Sequence, residues 1–258
     1  MHKAALVDVA HCQGVVLGNV GVFVRASIDP EALKYSNSTL AQGLVRQGLV
    51  DAAVNCNGDG VPTLRAVTAE AIAEACRGEQ LLVFSEDVRC LHLLAGTLRA
   101  RGVDAHVGDG KLSDDEFEDL KDRFVAGAFP VLLLSRVGEK GHDLQNASGF
   151  VNLDVGWVTK RLEQRAGRVA RPGSKFREVW SVIPYIHDGG VAYQVGIVAE
   201  RGAENYQLFD GYAGVRASDS TIAGQLAEIT AQVAVSRSDA GYAGDAARLQ
   251  VAAAVFGA

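Results

Sequence analysis

The sequence predicts an α/β fold: a parallel sheet with helices on both faces. Three observations carry it. Short apolar runs recur from residue 79 to about 210, with amphipathic segments between them. The runs are nearly continuous rather than alternating, the pattern of strands buried on both sides. The chain has 258 residues, 48% hydrophobic and 22% charged, ordinary values for a protein that buries a core.

The elements follow in order. Residues 1–78 form an N-terminal extension or linker, partly helical. Within it "GVVLGNVGVFVR" (14–25) is apolar and reads as a strand candidate. "TLAQGLVRQGLVDAAV" (39–54) has helical spacing, with Leu40, Leu44 and Gln47 on one stripe. "NCNGDGVP" (55–62) is turn-rich. "TLRAVTAEAIAEACR" (63–77) reads as a helix with Leu64, Val67, Ala71 and Ala75 along one face.

The central region, 79–210, holds the sheet. "LLVFS" (81–85) is a buried strand, followed by a helix over 87–101. "DAHVG" (104–108) is a short strand. The helix over 113–126 takes Ser113 as its N-cap and acids in its first turn, where they favour the helix dipole. "VLLLS" (131–135) and "GFVNLD" (149–154) are the third and fourth strands. A helix over 159–171 follows, and "EVWSVIPYI" (178–186) is the fifth strand. Residues 211–258 are a C-terminal extension rich in Ala and Gly. There 220–235 has helical spacing, and the last segment reads as a short helix or a frayed tail.

Composition narrows the function. A net charge of -6 excludes a generic basic DNA-coating protein, so any nucleic-acid contact needs a local patch. Cys12, Cys56, Cys76 and Cys90 lie far apart without metal-ligand spacing, and read as reduced thiols; no metal site is expected. The N-terminus lacks the pattern of a signal peptide, and no apolar run is long enough to cross a membrane. The expected location is the cytoplasm, that of a host cell were the source a phage.

Two stretches invite a nucleotide motif and fail. "GDGKLS" (108–113) has Gly110 and Lys111, but a phosphate-cradling P-loop needs a glycine where Ala105 stands and Ser or Thr where Leu112 stands. The acids of "DDEFED" (114–119) open a helix instead of ending a strand, so they read as a solvated face.

Positive charge concentrates in "TKRLEQRAGRVARPGSKFR" (159–177). Seven basic residues stand there against one acid, Glu163. Arg161, Gln164, Arg168 and Arg171 share one helical stripe, while Leu162, Ala166 and Val169 share another suited to packing on the sheet. The arginine fork matches phosphate geometry. On composition alone, a solvated basic face and a phosphate-binding face are both open.

The order of motifs resembles the second RecA-like domain of superfamily-two helicases and translocases. Gln164, Gly167, Arg168 and Arg171 match the family's Q-x-x-G-R-x-x-R motif, and Ser135, Gly141, Asp143 and Leu144 match the element before it. "LLVFSE" (81–86) and "FEDLKDRFVAGAFPVLLLS" (117–135) resemble the domain's opening strand and its following helix–strand run. Asp154 and Trp157, ahead of the arginine helix, are similar to the Swi/Snf-like branch, whereas His142, Pro172 and Ser174 depart from it.

The resemblance implies ATP with Mg²⁺, held mainly by a P-loop-bearing N-terminal half that this chain lacks and that is expected on a separate polypeptide. Such a split suits a compact genome such as a phage's. It implies Arg168 and Arg171 as arginine fingers, with Gln164, Gly141 and Asp143 at the nucleotide. DNA would be held through its backbone by Ser135 and the amides near Gly138, then by Ser85, Arg136 and Lys140. Trp157 is expected to pack. The competing class is an inactive DNA- or protein-binding module derived from such a domain; retention of both finger arginines with Gln164 argues against it.

Overall fold

The near-continuous apolar runs fold as strands whose successive side chains enter opposite layers. In the computed structural model, residues 16–55, 64–136, 144–157, 159–170, 174–176, 178–186 and 249–257 are described, with short pieces between 190 and 198. Five strands are parallel: β1 (Gln80–Phe84), β2 (Ala105–Gly108), β3 (Val131–Leu134), β4 (Ala147–Asn152) and β5 (Glu178–Ile186). The sheet order is β2-β3-β1-β4-β5, and a sixth strand, β6 (Leu249–Gly257), joins β5 antiparallel. The expected α/β architecture is therefore present.

Each face of the sheet has its own core. Leu81, Val83, Val131, Leu133 and Val151 enter one layer, against α1 (Val16–Ile28), α4 (Leu64–Ala75) and α5 (Val88–Ala100). Leu82, Phe84, Leu132, Leu134 and Phe150 enter the other, against α6 (Asp114–Val125) and one side of α7 (Thr159–Val169). The short helices α2 (Thr39–Arg46) and α3 (Leu49–Asn55) build a satellite core with Val22, Leu33, Ala41, Leu44 and Val50.

Ser113 caps α6 as expected. Its hydroxyl accepts the Glu116 N–H, and Glu116 accepts the Ser113 N–H in return, a reciprocal capping box.

Four expectations are corrected. The stretch 14–25, read as a strand candidate, lies mostly in helix α1. Thirteen residues are too many for an ordinary buried strand, and Val24 and Ile28, one turn apart, pack on the sheet. The single helix expected over 39–54 is two, because Gly48 adopts φ 72° and turns the chain between them. Gln47 is exposed there and leaves the buried stripe to Ala41 and Leu44.

Helix α4 buries Leu64, Thr68, Ala69 and Ile72, not the expected face: Val67 is half-buried and Ala71 exposed, as is Ala75. Ile72 offers more apolar area than the alanines, so its side of the helix turns inward. Finally, 249–257 is a strand, neither helix nor tail. It pairs along all of β5, whose free edge would otherwise leave a row of unpaired backbone groups. The proposed helix over 220–235 lies outside the described residues.

Two glycines give opposite predictions. A Cβ on Gly149 would come within 2.2 Å of two ring carbons of Trp180. Gly149→Ala is expected to destabilise by about 1–3 kcal/mol, as overpacked core substitutions do. Gly96, inside α5, has open space where a Cβ would go. Gly96→Ala is expected to stabilise by about 0.5–1 kcal/mol through lower chain entropy and better helix propensity. Urea midpoints of the two variants should move in opposite directions.

Candidate functional site

The chain leaves β1 toward β2 on one side of the sheet and leaves β4 toward β5 on the other. The two paths diverge between β1 and β4, and open α/β sheets bind ligands outside the carboxyl ends of the strands at such a point. Ser85, Glu86 and Asp87 follow β1 here, Asp109 follows β2, Ser135 and Arg136 follow β3, and Asp154 follows β4.

Ser85 and Asp154 close the gap between β1 and β4. The Ser85 hydroxyl donates to Asp154 Oδ2 at 2.5 Å and accepts the Asp87 N–H at 3.0 Å. The Glu86 N–H donates to the same carboxylate oxygen at 2.7 Å. Arg165 reaches this cluster from α7 and is fully buried, 0% exposed. Its Nη1 donates to Asn152 Oδ1 at 3.0 Å and to the Asp154 carbonyl at 2.6 Å, while Nη2 meets Asp154 Oδ1 at 3.3 Å. The guanidinium also stands over the Phe84 ring, 5.5 Å from its centroid, where a cation is favoured. Burial holds the Asp154 carboxyl above the usual aspartate range, although the Arg165 charge and the Ser85 hydroxyl offset part of the rise.

Arg165 is the important residue that sequence reasoning missed. It was counted within a basic cluster, yet it joins Leu162, Ala166 and Val169 on the buried stripe. The signal was available: positions 162, 165, 166 and 169 have helical spacing, and polar Asn152 and Asp154 end an otherwise apolar strand.

The opposite side of α7 faces outward. Gln164 is exposed and Arg168 half-buried, one turn apart. Arg161, on the same stripe, forms an ion pair with Glu86. The Arg168 carbonyl accepts the Leu144 N–H at 3.1 Å, so the end of the β3–β4 connection is tied to the last turn of α7. Arg171, Gly138, Lys140, Gly141 and Asp143 lie outside the described residues.

Ser135 is buried, and its N–H donates to the Gly108 carbonyl at 3.1 Å; Arg136 is exposed beside it. Ser85 has its hydroxyl engaged on both sides, as above. Trp157 packs against the core, as expected. The outward groups on α7 are guanidinium and amide donors, which fit phosphate oxygens rather than a cation. Among the described residues, no group of three His, Cys, Asp or Glu side chains is placed to hold a metal.

At the end of β2, His92 Nε2 lies 2.8 Å from Asp109 Oδ2, and the Lys111 N–H donates to Oδ1 at 2.9 Å. Burial pushes the Asp109 carboxyl up, but the His92 and Lys111 hydrogen bonds outweigh it and leave it below the usual aspartate range. Stability from this carboxylate is therefore present above the ordinary aspartate pKa and is lost as pH falls through the lowered value. Asp109→Asn is expected to lower the urea midpoint at neutral pH, and the difference from the unmodified chain should shrink as pH falls below the ordinary aspartate range.

Residues 64–173 match the family model described as the helicase conserved C-terminal domain. The parallel sheet with helices on both faces that the resemblance implied is the fold observed. Rad25 of Halobacterium salinarum, a protein named for DNA 3'-5' helicase activity, is 33% identical over 118 residues, covering 44% of this chain and 20% of the relative. The RNA polymerase-associated protein RapA of Yersinia pestis is 34% identical over 125 residues, covering 47% of this chain and 13% of RapA. The chain thus spans a fifth or less of these two curated relatives. The solved structure of the Escherichia coli DEAD-box protein SrmB, bound to the regulator of ribonuclease activity A, aligns with a TM-score of 0.44 and 23% identity, over 55% of this chain and 81% of that one. Among the described residues, no helix is long and apolar enough to cross a membrane.

Proposed function

We propose that this chain supplies the second motor domain of an ATP-dependent DNA helicase or translocase, working across a cleft from a P-loop-bearing domain on another polypeptide. The observation that carries the reading is the tie between two motifs. The end of the β3–β4 connection, just ahead of β4, is bonded to the last turn of the arginine helix. The family match covers both motifs. The name of the Rad25 relative supports DNA as the track. Asp154 and Trp157 support the Swi/Snf-like branch. Residues 79–210 are the motor domain in this reading, with 1–78 and 211–258 as extensions.

ATP with Mg²⁺, bound mainly by the P-loop partner, supplies the phosphoryl group whose transfer drives the cycle. Arg168 and Arg171 neutralise charge that develops on the terminal phosphate oxygens, and Gln164 hydrogen-bonds the nucleotide beside them. Gly141 and Asp143 approach the nucleotide from the β3–β4 connection. Ser135, the amides around Gly138, Ser85, Arg136 and Lys140 position the DNA backbone without reading bases. The Ser85 contact runs through its backbone or through exchange of its present partners. Closing and opening of the cleft then moves the domains along the strand.

The test mixes this chain with the P-loop domain encoded in an adjacent reading frame and measures DNA-stimulated ATP hydrolysis. Hydrolysis by the mixture well above the sum of the separate components is the expected result. DNA binding that no nucleotide alters, with no gain on mixing, would instead place the chain among inactive binding modules.

A further inference from the structure

The three residues that follow β1 are held from two sides. On one side, Arg25 in the last turns of α1 forms an ion pair with Asp87. Asp87 also caps α5, accepting the N–H groups of Arg89 and Cys90. On the other side, Glu86 pairs with Arg161 of α7, and Ser85 reaches Arg165 of α7 through Asp154. Among the described residues, three carboxylates (Glu86, Asp87, Asp154) thus meet three arginines (Arg25, Arg161, Arg165). Arg161 and Arg165 stand on the arginine helix itself. Arg25 comes from the N-terminal extension, about 140 residues earlier in the chain.

From this chain of contacts we infer that α1 sets the position of the arginine helix, with Arg25 as the positioning residue. The relay runs from Arg25 through Asp87, Ser85 and Asp154 to Arg165. Removing Arg25 leaves the Asp87 charge uncompensated close to Asp154, where the two carboxylates repel each other. The charge on Asp87 already pushes the Asp154 carboxyl up. Asp154 then holds Arg165 less firmly, and α7, with Gln164 and Arg168 on its outer side, loses its seat on the sheet. The N-terminal extension is in this way a control element: whatever displaces α1 loosens the helix that carries the phosphate-facing groups.

Two measurements test it, and the first does not depend on the motor reading. In Arg25→Ala, the backbone amides of α7 are expected to exchange with solvent about tenfold faster, while those of β1 and β3 stay unchanged. Arg25→Lys should keep most of the protection. Arg25→Ala with Asp87→Asn should recover it, because asparagine still caps α5 while the unbalanced charge is gone. Arg25→Lys and the double variant also serve if Arg25→Ala alone does not fold. Unchanged α7 exchange in Arg25→Ala, or no recovery in the double variant, overturns the relay.

The second measurement rests on the proposed function. In the reconstituted mixture, Arg25→Ala should lower kcat for ATP about tenfold and leave KM within about twofold, since it acts on the finger helix and not on nucleotide capture. Faster α7 exchange with unaltered kcat would overturn the effect of Arg25 on turnover. If Arg168→Ala too leaves turnover untouched, the motor reading is what fails; if Arg168→Ala abolishes turnover while Arg25→Ala moves neither exchange nor kcat, only the relay fails.

Discussion

Arg165→Ala is expected to cost about 3–5 kcal/mol of folding stability, the range found when one partner of a buried ion pair is removed. The guanidinium has no exposure, and it satisfies the Asn152 side chain, the Asp154 carbonyl and the Asp154 carboxylate together. Without it, a carboxylate that burial already disfavours is left with the Ser85 hydroxyl and the Glu86 N–H. A single domain holds only about 5–15 kcal/mol in all, so the variant should sit near the edge of folding at physiological temperature. Arg165→Lys should recover only part of the loss, since an ammonium lacks the planar fork that bridges three acceptors. Arg165→Met combined with Asp154→Leu should recover much more, because it removes both charges. Urea unfolding of the four chains measures this. A loss below about 1 kcal/mol in Arg165→Ala would mean that solvent reaches the site and that the buried pair contributes little.

Arg168→Ala carries the largest expected effect on activity. In the proposed motor, its guanidinium neutralises charge on the transferring phosphoryl group, and arginines in that role are worth roughly 10³–10⁵ in rate in other NTPases. The prediction is a fall of at least about a thousandfold in kcat for DNA-stimulated hydrolysis by the reconstituted pair. DNA binding without nucleotide should be little changed. Arg171→Ala should act in the same sense, and Gln164→Ala more weakly, because a neutral amide contributes less than a charged fork. Arg168 is only half-buried on the outward side of α7, so its removal should lower the urea midpoint far less than removal of the fully buried Arg165. That separates it from Arg165, three residues away, whose loss acts on stability first. Hydrolysis at the unmodified rate by Arg168→Ala would remove it from the reacting phosphate.

Much of the central sheet was legible. Strands β1, β2, β3 and β5 lie within a residue of the expected runs, and α5, α6 and α7 differ from expectation by no more than two residues at either end. These elements declare themselves locally: apolar runs of strand length, a capping serine with a glutamate three residues on, and a helical stripe of Leu162, Ala166 and Val169. Helix α1 was not legible as a helix, since an apolar run interrupted by glycine suits either element until its partners are known. The face of α4 was misjudged because alanines and larger residues were weighed alike, while packing on the sheet selected Ile72.

The α/β class, the parallel central sheet and the presence of a phosphate-suited arginine stripe are written in the residue order. These depend on hydrophobic period and residue chemistry, both written along a single segment. The tertiary structure alone decided which charges are available. Arg161 and Arg165 are two of seven basic positions between residues 159 and 177, and the fold turns one toward Glu86 and buries the other against Asp154. It also brought Arg25 to Asp87 and placed 249–257 on the edge of β5. Those outcomes join residues far apart in the chain. Desolvation and ion pairing depend on what lies across the contact, which no local pattern records.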